Sequence, residues 1–469
     1  MATTRAKVSA RVTARTGTRA DGRDYPRIIV PPPGPKAKAI IARDERWTST
    51  SNIKEYPLVV ARGSGAMVED VDGNRFLDFM AGIAVTATGH AHPAVVKAVQ
   101  DAAARFLHIC GGDFYYENLA ALSERLAKVA PGHSKKRVFL TNSGTEAVEG
   151  AIKLARYSTG RSGIVAFKGA FHGRTYGALS LTSSKVKQHA GFGPFLPDVH
   201  HVPYAYCYRC EFGKTFPSCE LFCARAIEDD LLARHLSPKD VAAIFVEPVQ
   251  GEGGYIVPPN GYLKALRELC DRHGILLVFD EIQCGMGRTG KMFAADHFGI
   301  EPDILLSAKG LASGMPLGAI IARESIMTWE SGSHGSTFGG NPLACTASLA
   351  VLKIIDDEKL IQGAHDKGEA LQKMLEGLVA ELPQICESAR GDGLLRGIVM
   401  KPGHVAREVL PKILQNGVML TAAGDRVLRF SPPLVVTIAE LEEGVAVVRK
   451  VLSELVSKPA TNEATARAL

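Results

Sequence analysis

A chain of 469 residues with 46% hydrophobic and 22% charged residues has the make-up of a globular protein with room for two or three domains. Its net charge of +6 is small and forms no basic stripe or nucleic-acid module, so no nucleic-acid partner is expected. No uninterrupted apolar stretch reaches the ~18 residues of a spanning helix, so no membrane partner is expected either, and a cytoplasmic location is the reading taken.

The chain opens with Arg5, Lys7, Arg11, Arg15 and Arg19 and has no acid before Asp21. That composition suits an organellar transit peptide or a plain basic tail, and it lacks the apolar centre of a secretory signal. The plain tail is favoured, over residues 1–40, with Pro31-Pro-Pro-Gly-Pro35 as a stiff extended lead-in. Residues 56–79 alternate apolar residues with Gly-Ser and Asp-Gly steps, which predicts short strands and hairpin turns. Helical periodicity follows over 94–106 and 117–130, the second stopped by Pro131-Gly132.

Strand and helix then alternate: a strand at 137–140, a helix at 145–157, strands at 163–167 and 241–246, and a helix near 263–272. Two further strands are predicted at 275–279 and 302–307. This order predicts βαβ units and an α/β fold with a mainly parallel sheet. Beyond Asn341-Pro342 the pattern changes to helices at 343–355 and 360–382, strands at 394–400 and 426–430, and a last helix at 438–455. The expected organisation is a large domain over 96–342 and a smaller α+β domain from both chain ends, 41–95 and 343–458. Residues 459–469 are small and polar and read as a frayed tail.

The last two strands of the alternating region carry the chemistry. Ile275-Leu-Leu-Val-Phe279 ends in Asp280, and the run from Pro302 to Ala308 ends in Lys309. In a parallel sheet both side chains emerge at the carboxyl edge, where ligands bind. A lysine and a carboxylate in one crevice suit pyridoxal phosphate: the amine forms the Schiff base, and the carboxylate keeps the pyridine nitrogen protonated. A surface lysine and a capping aspartate are the plain alternative.

Other motifs converge on the same edge. Asn142-Ser143-Gly144-Thr145-Glu146 opens a helix and is either an ordinary N-cap or a phosphate site. Phe171-His172-Gly173-Arg174 follows a strand, so Phe171 can cover one face of a pyridine ring while Ile282 covers the other. The Gln283 amide can reach the ring oxygen; alternatively Phe171 is core and Arg174 a surface ion pair. Glu247-Pro248 leads into the glycine-rich Gln250-Gly-Glu252-Gly, again at a strand end. Arg429, inside an apolar strand, needs a carboxylate partner, for which a structural ion pair is one reading and ligand binding another.

These motifs, with Thr337-Phe-Gly-Gly-Asn341-Pro, occur in the order found in class III aminotransferases. The chain resembles that family, fold-type I pyridoxal-phosphate enzymes that include the ornithine, acetylornithine and 4-aminobutyrate aminotransferases, over roughly residues 45–455. The resemblance implies that Lys309 and Asp280 are catalytic. It implies that Ser143, Gly144, Thr145 and Thr337 serve the phosphate, Thr337 that of a partner subunit in an obligate dimer. Phe171, His172, Glu247, Ile282 and Gln283 complete the implied cofactor set. Arg174, Glu252 and Arg429 are the implied carboxylate-handling residues, with Glu252 a switchable partner of Arg429. Gly82-Ile83-Ala-Val85 is more similar to the 4-aminobutyrate and acetylornithine enzymes, and Ile83 joins the substrate set. The expected reaction moves an amino group from an ω-amino acid to 2-oxoglutarate. An amino-acid racemase on the same scaffold is the alternative, and a cofactor-binding protein without turnover a more remote one.

Cys207-x2-Cys210-x8-Cys219-x3-Cys223 lies in an insertion that typical members lack. The spacing suits zinc, two disulfides or four reduced thiols, and no metal is assigned. Cys110, Cys270, Cys284, Cys345 and Cys386 read as small buried hydrophobes.

Overall fold

The computed structural model describes residues 26–456, so the basic residues Arg5 to Arg19 and the stretch after Pro459 lie outside the described residues. A seven-stranded sheet forms the centre of the molecule. In chain order its strands are β1 (Lys136–Thr141), β2 (Gly163–Phe167), β3 (Val199–Val202), β4 (Val241–Val246), β5 (Leu276–Asp280), β6 (Ile304–Ser307) and β7 (Gly318–Arg323). Their spatial order is β1-β7-β6-β5-β4-β2-β3. All neighbours from β6 to β3 pair in parallel, whereas β7 runs antiparallel between β6 and β1.

Both faces of this sheet are covered, which is why its strands read as continuous apolar runs rather than alternating ones. Val165, Ile244, Val246, Leu277 and Phe279 pack on one side with Leu263, Leu266 and Leu269 of the helix Tyr262–His273. Ile164, Ala166, Phe245, Val278 and Leu306 pack on the other with Ala147, Val148 and Ile152 of helix α1 (Gly144–Thr159). Each fully buried Leu or Phe contributes ~1.5–3 kcal/mol of transfer free energy.

Helix α1 has a defined start and stop. The Ser143 hydroxyl accepts the Glu146 N–H at 3.3 Å, and the Glu146 carboxylate reaches back to the Asn142 N–H at 2.9 Å. This is a variant of the capping box. At the other end Gly160 takes the left-handed conformation, φ +68°, and closes the helix onto the Arg156 carbonyl.

Two smaller sheets flank the centre, and the two chain ends meet in the first of them. Val60–Ser64, Met67–Asp70 and Arg75–Asp78 form a meander, and Val418–Met419 adds in parallel beside Arg75–Asp78. Cys386–Asp392, Leu395–Met400, Val427–Phe430 and Thr421–Ala423 form an antiparallel sheet in that spatial order.

Several elements differ from the sequence reading. A helix, Pro35–Trp47, begins where the extended lead-in was expected to end. It is capped from afar: the Asp72 carboxylate accepts the Lys36 and Ala37 N–H groups at 2.9 and 3.0 Å. Strands β3, β7 and Cys386–Asp392 were not anticipated either. Among the described residues no helix is long and apolar enough to cross a membrane.

Candidate active site

The carboxyl edge of the central sheet opens into a cavity of about 380 Å³. Asp280 is the last residue of β5 and lies beside Leu306 of β6, while Lys309 follows two residues after β6 ends. At Lys309 the backbone enters the left-handed region, φ +47°, a strained conformation for a residue with a side chain. Packing of the adjoining buried Gly310 and Leu311 holds the chain there, in a single tight turn that carries Lys309 to the cavity.

Most of the residues singled out from the sequence line this one cavity: Ser143, Gly144, Thr145, Phe171, His172, Arg174, Glu247, Glu252, Asp280, Ile282, Gln283 and Lys309. Three stand apart. Arg429 is buried just behind Glu252. Thr337 is exposed away from the cavity. Ile83 is 45% exposed, and it is Val85 that reaches the lining.

Asp280 is held on both oxygens. Oδ1 accepts the Ile282 N–H at 3.0 Å, and Oδ2 lies 2.7 Å from Nδ1 of the buried His172. Burial alone would lower the His172 pKa, but the hydrogen bond and charge of Asp280 outweigh it and leave the pKa raised. Burial pushes the Lys309 pKa down against the pull of Glu252 and Asp280, which makes the free amine easier to reach. Burial also drives Glu247 up to about 7. The Glu247 carboxyl accepts the Phe171 N–H at 3.3 Å and the Gly251 N–H at 3.2 Å, tying the loop under Phe171 to the turn that carries Glu252. For Glu252 burial pulls upward too, yet the Arg429 and Lys185 charges prevail and hold it at about 2.

Two glycines are required by close approach. A Cβ at Gly144 would lie 2.9 Å from the Ile282 side chain, and one at Gly251 would lie 1.8 Å from Gln283 Oε1.

With that geometry in view, the protein-family model described as aminotransferase class-III matches residues 48–452. The chain belongs to the class-III aminotransferases. This aminotransferase is 39% identical over 444 residues to an alanine/serine racemase of Pyrococcus horikoshii, covering 92% of this chain and 93% of that protein. It is 38% identical, also over 444 residues, to the 4-aminobutyrate aminotransferase of Mycobacterium bovis, covering 92% and 98%. The crystal structure of the ornithine aminotransferase from Toxoplasma gondii superposes with a TM-score of 0.80 at 33% identity, over 90% of this chain and 96% of that one.

Like its family, this aminotransferase is an enzyme that uses pyridoxal phosphate, and the cavity fits that group. The Gly144 and Thr145 amides open a sixteen-residue helix and have no protein acceptor among the described residues, a ready anion site. Gln283 lines the cavity and carries an amide N–H₂ able to donate to a ring oxygen. A buried carboxylate, Asp280, lines the same space as the lysine amine, and the missing Cβ of Gly144 keeps room beside Ile282. The lining residues fit a planar cofactor with a phosphate at one end and a basic nitrogen at the other.

The sequence reading named the motif Gly82-Ile83-Ala-Val85 but took Ile83 from it rather than Val85, and it did not single out Met315, Pro316 and Leu317, which also line the cavity, nor Lys185, whose Nζ bonds Glu252 at 3.1 Å. Lys185 sits in the polar stretch Ser183-Ser-Lys-Val-Lys187, where nothing distinguishes it from a solvated loop lysine.

The cysteine insertion lies elsewhere. Cys207, Cys210, Cys219 and Cys223 surround a small cavity of about 20 Å³, and all nine cysteines are free thiols. Burial and the neighbouring thiols push Cys223 up to about 11. Among the described residues no group of three or more His, Cys, Asp or Glu side chains is arranged to hold a metal. Of the five scattered cysteines, Cys270, Cys284, Cys345 and Cys386 are buried, and Cys110 is half-buried.

Proposed function

We propose that this aminotransferase moves the amino group of an ω-amino acid, 4-aminobutyrate foremost and otherwise ornithine or acetylornithine, to 2-oxoglutarate. The observation that carries this reading is the buried pair of Glu252 and Arg429 at 2.7 Å beside the cavity. With Glu252 on Arg429 the positive charge is neutralised, which suits a donor with no carboxylate at that end. With Glu252 withdrawn, Arg429 can take the α-carboxylate of glutamate or 2-oxoglutarate. Its Nε, buried and unpaired among the described residues, supports a second acceptor there. Arg174, exposed at the cavity rim with its guanidinium 5.3 Å over the Phe171 ring, is suited to the other carboxylate. A free carboxylate paired with an arginine fork forms strong, geometrically selective hydrogen bonds.

Pyridoxal phosphate, when bound, supplies an electron sink for the pair released at the substrate Cα. Around it, Ser143 and the Gly144 and Thr145 amides hold the phosphate, Phe171 and Ile282 bracket the ring, and Gln283 donates to the ring oxygen. Asp280, fixed by His172, keeps a negative charge at the ring nitrogen. Lys309, whose pKa burial lowers, would take the proton from the substrate Cα and deliver it to the cofactor's C4′, two bonds away. Glu247 acts through the two loops that it joins.

We assign Thr337 to the phosphate of a partner subunit, in a homodimer with shared sites. Its exposure in one chain supports this, as do the exposed apolar side chains Phe106, Leu107, Phe114, Tyr115 and Phe338. We keep the division into a domain over residues 96–342 and a smaller one from 41–95 and 343–458. We keep the cytoplasmic location read from the sequence.

The test is the absorbance of the purified enzyme after single additions of 4-aminobutyrate, L-ornithine, L-glutamate or L-leucine without any 2-oxo acid. Conversion of the lysine-bound cofactor band near ~420 nm to an amine-form band near ~330 nm identifies the donor. The Pyrococcus relative supports a second reading, an amino-acid racemase. Loss of optical rotation with the ~420 nm band unchanged would establish that reading in place of the first.

A further inference from the structure

Glu252 is held by two cations. Its Oε1 is 2.7 Å from Arg429 Nη1 and its Oε2 is 3.1 Å from Lys185 Nζ. Arg429 is buried, with Tyr255 stacked 5.5 Å from its guanidinium, whereas the Lys185 side chain is 32% exposed. One partner is therefore fixed in the interior and the other rides on a flexible stem open to solvent.

Glu252 also lines two cavities at once. One is the cofactor cavity; the other, of about 370 Å³, is bordered by Lys168, Arg209, Arg390 and Arg426 with Glu211 and Asp425. In that second space Lys168 is paired with Glu211 and Arg426 with Glu387, while Arg390 bonds the Tyr206 hydroxyl and the Gly254 carbonyl and, among the described residues, no carboxylate. The wall thus offers uncompensated positive charge to a carboxylate. The turn under Glu252 is pinned at its base, where Gln250 and Ile256 exchange backbone hydrogen bonds at 3.0 Å, so the freedom lies in the side chain. A carboxylate only 14% exposed cannot leave a buried arginine without another charge partner or water to receive it.

We propose that Lys185 is that partner. It is a positioning residue that keeps hold of Glu252 when Arg429 takes a substrate carboxylate, and so sets how readily one site serves both half-reactions. This rests on the proposed two-substrate use of Arg429. The same contact stays made while the Arg429 contact is broken, so the carboxylate pivots about the lysine and is never left unpaired.

The test compares single-turnover half-reactions of the holoenzyme with L-glutamate, which requires Arg429, and with 4-aminobutyrate and L-ornithine. Lys185→Met should lower the efficiency ratio of L-glutamate to the ω-amino donors by about tenfold, mainly by weakening apparent glutamate binding. Lys185→Arg should restore most of the ratio. In a Glu252→Gln background, where no charge needs a second anchor, adding Lys185→Met should leave the ratio unchanged. Equal effects on all donors, no effect, or an effect that persists in the Gln background would overturn the role of Lys185. Failure of wild-type enzyme to convert L-glutamate would instead remove the two-substrate reading on which it stands.

Discussion

Lys309 sits where backbone strain, burial and two carboxylates meet, and burial lowers its pKa against the pull of Glu252 and Asp280. Lys309→Ala should fold normally, because its side chain borders a cavity rather than the core, yet lose the ~420 nm band and at least ~10³-fold in turnover. Far-UV circular dichroism and a product assay check both halves; turnover that survived would remove Lys309 from its role. Asp280→Asn keeps the shape but withdraws the charge that raises the His172 pKa and that would face a ring nitrogen. Turnover should fall by about 10²–10³-fold, and His172 should titrate at lower pH when followed by NMR. Both residues were legible in the sequence because each ends a short, largely apolar run whose edge could be inferred. Arg429 was legible for the converse reason, a charge embedded in such a run. Lys185 was not, since its meaning comes from a carboxylate 67 residues away.

At the level of elements, most strands buried on both faces were legible in the sequence, β7 excepted, whereas elements defined by distant partners were not. Helix Pro35–Trp47 depends on Asp72, which belongs to a hairpin turn. Asp72→Ala should destabilise it by ~1 kcal/mol, and the Lys36 and Ala37 amides should then exchange hydrogen faster. Strand β7 is as long as β1 and β4 but holds a glycine and two alanines, which have weak strand preference; its pairing sets Ala319 between Ser307 and Leu140. The start of β6 is tied to the loop before β1 through Glu301, which accepts the His133 and Ser134 amides and lies 3.2 Å from Lys136. Burial favours the neutral acid, but those donors prevail and hold Glu301 at about 2, below its ordinary 4.5. A carboxyl depressed in the folded state contributes fully above its unfolded pKa, and that contribution fades as pH falls toward the folded value. Glu301→Gln should therefore cost about 1 kcal/mol at neutral pH, since solvent screens a partly exposed pair. The gap from wild type in urea unfolding should narrow below about pH 4.5; a gap independent of pH would contradict the ion pairing.

For the whole molecule, exposed Phe106, Leu107, Phe114, Tyr115 and Phe338 mark a surface that a single chain leaves uncovered, Tyr115 completely so. Sedimentation velocity should show a dimer, and Tyr115→Asp combined with Phe338→Asp should yield monomers with weakened cofactor retention. An unchanged dimer would direct attention to another face. The family, the parallel sheet and the lysine–aspartate pair could be read from the chain alone. The physical reason is local: a strand buried on both faces must be apolar throughout, and its end must fall at the ligand-binding edge. What covers a helix start, which lysine holds Glu252, and whether Ile83 or Val85 meets the cavity depended on residues brought together from distant segments. Such pairings leave no periodic trace, because a single polar side chain looks the same in sequence whether it meets water or a buried carboxylate.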